Sequence, residues 1–335
     1  MSRLNALHAW VSQTGPVPPE ALTPASSDAS FRRYFRLALE EGSRIVMDAP
    51  PEREDCRPFV AVAELFAAAG LHVPQVLRAD FDQGFLLLTD LGHTTYLQAL
   101  TAPGATFQEA DRLYRAALEA LVTLQRASRA GVLPPYDAAL LEREIGLFPE
   151  WYAARHLGRP LEGGAHAAFD TASRALVACA LAQPRVYVHR DYHARNLMVC
   201  APEPGVLDFQ DAVYGPISYD AVSLLKDAYV AWDEEPVIDW LVRYWDSARR
   251  AGLPVAADFG DFYRDFEWMG VQRHLKVLGI FARLYHRDGK AGYLADMPRV
   301  AQALHAACRR YRELAPLARL LDDLWEHAPA SGYTF

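Results

Sequence analysis

Lysine is the scarcest charge in this chain: Lys226, Lys276 and Lys290 stand against 31 arginines, and no lysine occurs before position 226. Cationic work in the first 225 residues therefore falls to arginine, whose planar fork suits bidentate contact with anions. Asparagine occurs only at Asn5 and Asn196. The four cysteines, Cys56, Cys179, Cys200 and Cys308, are widely separated, with no C-x-x-C and no cysteine–histidine cluster at zinc spacing. That excludes a disulfide framework or zinc ribbon and reads as reduced thiols in a cytoplasmic protein. No run approaches the ~20 apolar residues that span a bilayer. Residues 1–14 are amphipathic without a continuous apolar core, which reads as neither signal peptide nor membrane anchor. A basic surplus is missing too: the net charge of −8 argues against non-specific nucleic-acid binding. The sequence contains no internal repeat, no low-complexity tract and no G-x-G-x-x-G loop.

What is present is more specific. Residues 189–196 read His-Arg-Asp-Tyr-His-Ala-Arg-Asn, and Leu207-Asp208-Phe209-Gln210 follows with Asp208 twelve positions after Asn196. H-R-D-x-x-x-x-N is the catalytic-loop pattern of the kinase fold, in which the Asp meets the substrate hydroxyl and the Asn holds a metal. Asp191 is accordingly the general base or hydroxyl-orienting group. Asn196 and Asp208 are the oxygen ligands for magnesium, a hard cation that keeps several waters and needs few protein ligands. His189 is expected to brace the loop by hydrogen bonding. Asp220, at a helix start, reads as a cap or an anchor for the loop. Asp211 either touches substrate or caps the next turn. The apolar triplets Val186-Tyr187-Val188 and Leu197-Met198-Val199 flank the motif as short strands.

The periodicity supports a two-lobed α+β architecture of the protein-kinase type: a small N-terminal β-sheet lobe, 1–91, and a mostly helical C-terminal lobe, 92–335. Residues 2–13 read as an amphipathic helix, followed by a Pro-rich connection through Pro16, Pro18, Pro19 and Pro24. Strands are expected over 31–38 and 43–48, a helix over 55–69 closed by Gly70, and strands over 74–82 and 84–88. Thr89-Asp90-Leu91-Gly92 suits a hinge, and Thr89, Asp90 and Leu91 are candidates for nucleotide contact. Helical spacing then covers 106–127, 137–156, 165–182, 217–231, 236–250, 257–286 and 294–325.

The missing lysine bears on the phosphates. A kinase strand lysine has no counterpart here, and by hairpin order Met47 or Val46 takes its place, leaving Glu64 without that partner. Ser27 and Ser30 occupy the place of the loop over the phosphates, where small residues let backbone N–H groups approach an anion. Arg32, Arg33 and Arg36 are the available cations. No A-P-E element follows Asp208, and Gly215-Pro216-Ile217-Ser218-Tyr219-Asp220 arrives within a dozen residues. That leaves no room for a peptide platform, so the substrate is expected to be a small molecule.

These motifs resemble the aminoglycoside phosphotransferase and choline kinase superfamily, matching its H-x-D-x-x-x-x-N at His189, Asp191 and Asn196 and its D-F-x-D at Asp208 and Asp211. More narrowly, four strings look like the bacterial anomeric kinases of cell-wall sugars. They are 27–35, Met47-Asp48-Ala49-Pro50-Pro51, 207–212, and Gln272-Arg273-His274-Leu275-Lys276-Val277-Leu278-Gly279. The resemblance implies an ATP-dependent, magnesium-dependent enzyme that phosphorylates the C1 hydroxyl of N-acetylmuramate and N-acetylglucosamine in peptidoglycan recycling. The protein is expected to be a cytoplasmic monomer whose partners are the sugar and ATP, with no nucleic acid and no membrane. Candidate sugar contacts are His193, Arg195, Asp211, Glu150, Trp151, Arg155 and His274. Of these, Arg155, Arg195 and His274 are alternatives for a lactyl carboxylate. Two other readings stay open: a kinase of the same fold acting on an aminoglycoside or choline, and a nucleotide-binding pseudokinase.

Overall fold

The structure is a computed structural model that describes residues 2–14, 17–27 and 31–326. Two compact units make up the chain: 1–124 with 195–212, and 125–194 with everything from 213 onward. The nucleotide-covering lobe expected over 1–91 falls inside the first unit.

The first unit begins with α1 (Arg3–Val11), whose Leu7, Trp10 and Val11 project from one face at i, i+3, i+4 spacing. A five-stranded antiparallel sheet follows: β1 (Leu22–Ser27), β2 (Arg33–Leu39), β3 (Gly42–Asp48), β4 (Val76–Asp80) and β5 (Phe85–Thr89), in the order β1-β2-β3-β5-β4. Alternation sends Phe35 and Leu37 of β2 inward, where they join Val46, Phe85 and the α1 triplet in one core. Burial of each large side chain there is worth about 1.5–3 kcal/mol. Between β3 and β4, α2 (Arg57–Ala68) packs Phe59 and Phe66 on the Phe209 ring, at centroid distances of 4.9 and 5.8 Å. Gly70, at φ +96, ends that helix in the left-handed conformation that favours glycine. Helices α3 (Tyr96–Thr101) and α4 (Phe107–Arg126) follow β5.

One strand of this sheet was hidden from the pattern. The stretch through Pro24 is β1 rather than a connection, and it lies at the sheet edge with a register shift between Pro24 and Ser26. Proline lacks a donor, so it is tolerated only at an edge or bulge, and this strand offers both.

The second unit contains α5 (Ala138–Ile145), a π-helix (Phe148–His156), α6 (Gly163–Ala182), α7 (Tyr219–Leu225), α8 (Glu234–Arg250), α9 (Phe259–Asp288), α10 (Met297–Arg310) and α11 (Ala315–Glu326). An antiparallel strand pair, Arg185–Val188 with Val213–Pro216, sits among them. Two expected helices are divided. The helix read over 137–156 breaks at Gly146 and Leu147 and continues as π-helix, and that over 294–325 breaks at Tyr311. The helix read over 217–231 ends at Leu225.

Helix α9 runs through the middle of this unit and is buried on every face from Phe266 to Gly279. A Cβ on Gly279 would stand 2.5 Å from the Leu147 backbone, so only glycine lets the π-helix approach this closely. The buried stretch is not apolar throughout. It carries Glu267, Gln272, Arg273, His274 and Lys276, and buried groups of that kind need partners.

Candidate active site

The partners of Gln272, Arg273 and Lys276 lead to the loop at 189–196. The strand Arg185–Val188 delivers the chain to His189, Arg190 and Asp191. Asp220 at the start of α7 is wholly buried and accepts the backbone N–H groups of His189 (2.6 Å) and Arg190 (3.0 Å). Asp220 is thus the loop's anchor, and burial raises its pKa. Asp227, just beyond α7, accepts the N–H of Ala194 at 2.9 Å and of Tyr229 at 2.9 Å, a second anchor. His189 accepts the Asp191 N–H at Nδ1 (3.2 Å), which makes it a brace.

Between these anchors Arg190 adopts φ +78, the left-handed region that costs a residue with a Cβ about 1–2 kcal/mol. Its carbonyl accepts from Arg273 Nη1 at 2.7 Å, and its guanidinium pairs with the buried Glu144. Glu144 also takes Lys276 at 2.9 Å and the Tyr136 hydroxyl. Arg273 Nη2 stands 3.6 Å from the Asp191 carboxylate. Burial works to raise the pKa of Asp191. Lys276, Arg273, His193 and Arg190 outweigh it and hold the carboxyl well below the usual carboxylate range. The group is therefore ionised at any working pH and is a weak proton acceptor, better suited to orienting a hydroxyl than to removing its proton.

The first unit contains the other half of the motif. Strands Leu197–Met198 and Gly205–Val206 pair antiparallel, and the next hydrogen bond along, from Leu207 N to Asn196 O at 2.9 Å, holds Asn196 and Asp208 at the same end of the hairpin. Asn196 Nδ2 is 3.4 Å from Asp208, and Gln210 Nε2 donates to Asp208 at 2.9 Å. Arg32 approaches Asp208 to 3.7 Å. Asp208 itself sits at φ +61. A carboxylate beside a side-chain amide is a set of hard oxygen donors that fits a magnesium ion.

A model of the phosphotransferase enzyme family matches residues 21–259. The chain belongs to that family. The phosphotransferase is 56% identical over 316 residues to an N-acetylmuramate/N-acetylglucosamine kinase of Pseudomonas aeruginosa, covering 94% of this chain and 92% of that one. With the kinase of the same name from Neisseria meningitidis it shares 52% identity over the full length of both. Among solved structures, the choline kinase LicA from Streptococcus pneumoniae is similar with a TM-score of 0.62 at 11% identity, covering 90% of this chain and 98% of that one. The gentamicin complex of APH(2")-IIa is similar with a TM-score of 0.59 at 14% identity, covering 89% and 95%. These likenesses show the kinase-type fold.

The remaining candidates of the phosphotransferase have definite places. Arg33 is bound to the buried Asp48, which Arg3 also meets at 2.6 Å. Arg36 is bound to Asp90 (2.6 Å), the Gly92 carbonyl (2.6 Å) and His93 (2.7 Å), so it ties residues 90–93 to β2. The N–H of Thr89 donates to Gln75 O, and its hydroxyl accepts from Gln75 N. Leu91 is buried against Gly205. Ser30 lies outside the described residues, and Ser27 closes β1. Val46 and Met47 are both fully buried, and Glu64 is exposed on α2. Glu150, Trp151 and Arg155 lie on the π-helix, with the Arg155 guanidinium 4.1 Å over the Trp151 ring. Arg195 and Asp211 are exposed. His193 packs edge-on against Tyr229 at 5.4 Å.

His274 lines a cavity of about 200 Å³ in the second unit, together with Lys226, Asp227, Trp232, Glu267 and Arg299. Burial, with Lys226 and Arg273 close by, pushes its pKa down to about 3. The neutral ring donates from Nε2 to the Lys226 carbonyl at 3.1 Å, and Nδ1 is left as an acceptor without a partner among the described residues. His274 is therefore no cation for a carboxylate. Sequence reasoning passed over Glu144, Asp227, Arg273 and Lys276. For Arg273 and Lys276 the signal was the charge-bearing string 272–276 inside a buried helical stretch; Glu144 and Asp227 carried none.

Proposed function

We propose that this phosphotransferase transfers the γ-phosphoryl group of ATP to the anomeric C1 hydroxyl of N-acetylmuramate and N-acetylglucosamine, as a cytoplasmic monomer serving cell-wall sugar recycling. The observation that carries this reading is the 52% identity, along the whole of both chains, to the Neisseria meningitidis kinase named for those two sugars. No helix among the described residues is long and apolar enough to cross a membrane.

In the proposed reaction the C1 oxygen attacks the γ-phosphorus, the bond to the β–γ bridging oxygen breaks, and that electron pair leaves with ADP. Asp191 accepts the hydroxyl's hydrogen bond and aligns its lone pair. Because its carboxylate holds protons weakly, the proton moves only as the new P–O bond forms and then passes to solvent. A hemiacetal hydroxyl is more acidic than an ordinary alcohol, so this weak base suffices. Asn196 and Asp208 would hold magnesium, which supplies neutralisation of phosphate charge. Arg32 is the cation of the three candidates placed beside Asp208 and is assigned to the phosphates. The sugar is assigned to the cavity lined by Trp232 and His274, because Asp227 on its wall also holds Ala194 of the loop. The His274 Nδ1 acceptor suits a hydroxyl or acetamido N–H.

Phosphorus NMR of the product tests the reading. A sugar 1-phosphate signal, with no turnover of the methyl glycoside, is expected. Turnover of the blocked glycoside or a 6-phosphate would leave a small-molecule kinase of other regiochemistry. Turnover confined to choline or an aminoglycoside would move the substrate class, and nucleotide binding without any turnover would indicate a pseudokinase.

A further inference from the structure

We propose that Arg273 is a positioning residue for phosphoryl transfer, one guanidinium nitrogen fixing the turn at Arg190 while the other holds the Asp191 carboxylate. The inference rests on the reading that Asp191 meets the acceptor hydroxyl, and it adds a residue from α9, more than 80 positions away in the chain.

The geometry makes two demands that one side chain meets. Arg190 occupies a left-handed conformation that persists only where the surroundings over-determine it. Asp220 pins the peptide groups of His189 and Arg190 by their N–H groups, and Arg273 Nη1 pins the carbonyl that follows, at 2.7 Å. Asp191 is the next residue, so the direction of its Cα–Cβ bond is set by that clamped peptide. Arg273 Nη2 then faces the carboxylate itself at 3.6 Å. A guanidinium presents these donors at fixed separation, whereas an ammonium offers one point charge.

Behind the guanidinium the partners are equally specific. The Tyr219 hydroxyl accepts from Arg273 Nη1 at 3.2 Å and from Lys276 Nζ at 3.0 Å, and Lys276 reaches Glu144 at 2.9 Å. Glu144 in turn holds the Arg190 side chain. Arg190 is thus held at its N–H, its carbonyl and its side chain by three different elements. Among these groups the charges balance: Arg190, Arg273 and Lys276 against Glu144, Asp191 and Asp220. Arg273 is only 5% exposed, and burying a cation there is costly unless its charge is used. Of the carboxylates, Asp191 is the one at ion-pair distance from it.

The test compares Arg273→Lys, Arg273→Gln and Asp191→Asn for kcat, KM of both substrates, Mg·ATP affinity and thermal melting. Misplacing a reacting group by about an ångström costs ~10²-fold. Arg273→Gln should therefore lose about 10²-fold in kcat, and Arg273→Lys about 10-fold because charge returns without the fork. KM for both substrates and Mg·ATP affinity should stay within threefold. Arg273→Ala should regain activity when guanidinium ion is added at concentrations that leave the wild type folded, and Asp191→Asn should not. Should the glutamine variant fail to fold, the lysine variant with Tyr219→Phe decides: a several-fold kcat loss at unchanged KM is expected of each. The proposal is overturned if the folded Arg273 variants keep more than half of wild-type kcat, or if kcat falls only in step with the folded fraction. An active Asp191→Asn would instead remove the reading on which the proposal rests.

Discussion

Two carboxylates of the motif, Asp191 and Asp208, stand at similar exposure, 41% and 33% of their side chains, and in opposite surroundings. Each adjoins or occupies a left-handed residue, Arg190 at φ +78 and Asp208 at φ +61. Asp191 has its countercharge built in: Lys276 and Arg273 are buried, hydrogen-bonded and covalently part of α9. Asp208 has two side-chain amides and the more distant Arg32 guanidinium. A carboxylate that must orient one hydroxyl in every cycle gains from permanent cations that hold it ionised and still. In the proposed function Asp208 serves a removable cation, and the neutral amide donors at 2.9 and 3.4 Å compete with a metal less than a buried ion pair would.

The comparison breaks most readily at the two aspartates. Asp208→Ala should abolish turnover and weaken Mg·ATP binding, measured by calorimetry with and without magnesium; wild-type activity in excess magnesium would remove Asp208 from the metal. Asp191→Asn should lose ~10²–10⁴ in kcat while Mg·ATP affinity stays near wild type, because the lost role concerns the hydroxyl alone.

Next in size is Glu144→Gln, which leaves Lys276 and Arg190 buried against a neutral amide. Removing one partner of a buried pair costs about 3–5 kcal/mol, so the urea midpoint should fall sharply; a change under about 1 kcal/mol would mean the network is not structural. The same group gives a pH dependence. Burial opposes ionisation of Glu144, but Lys276 and Arg190 hold its pKa below the ordinary value. Its stabilising contribution is then complete above the unfolded pKa of ~4.3. It is lost as pH falls through the lower folded value. Thermal melting of wild type should drop below about pH 4 more steeply than that of Glu144→Gln.

Gly279→Ala tests the packing that carries α9 past the π-helix. Overpacking a Cβ against the Leu147 backbone should cost about 1–3 kcal/mol, read by melting; an unchanged Tm would show that the π-helix can move aside. The smallest effects separate the N-terminal arginines. Arg32→Ala should raise KM for ATP several-fold. Arg33→Ala should leave KM unchanged and lower Tm, because its partner is the buried Asp48. The reverse pattern would exchange their roles.

Much of this was legible in the chain because it is local. Asp191, Asn196 and Asp208 are named by spacing, and a hairpin of two-residue strands suffices to hold Asn196 and Asp208 at one end. The alternation of β2 and the face of α2 follow from periods of 2 and 3.6 residues. Other features depended on position in the finished fold. Pro24 argues against a strand until its edge location is known, and Gly146 and Pro149 mark a break without saying that a π-helix follows. Arg33 and Arg36 looked alike in sequence as phosphate candidates; only the register of β2 on β3 sets Arg33 opposite Asp48 and leaves Arg36 reaching Asp90.

The sequence by itself determined the reaction class and the family, and it named the candidate catalytic and metal-binding carboxylates, since those depend on residue type at short, fixed spacings. The tertiary structure decided the electrostatics. Arg273 and Lys276 reach the loop only because α9 is buried alongside it. In the low-dielectric interior a charge acts on whichever groups packing brings within a few ångströms, and separation along the chain has no bearing on that.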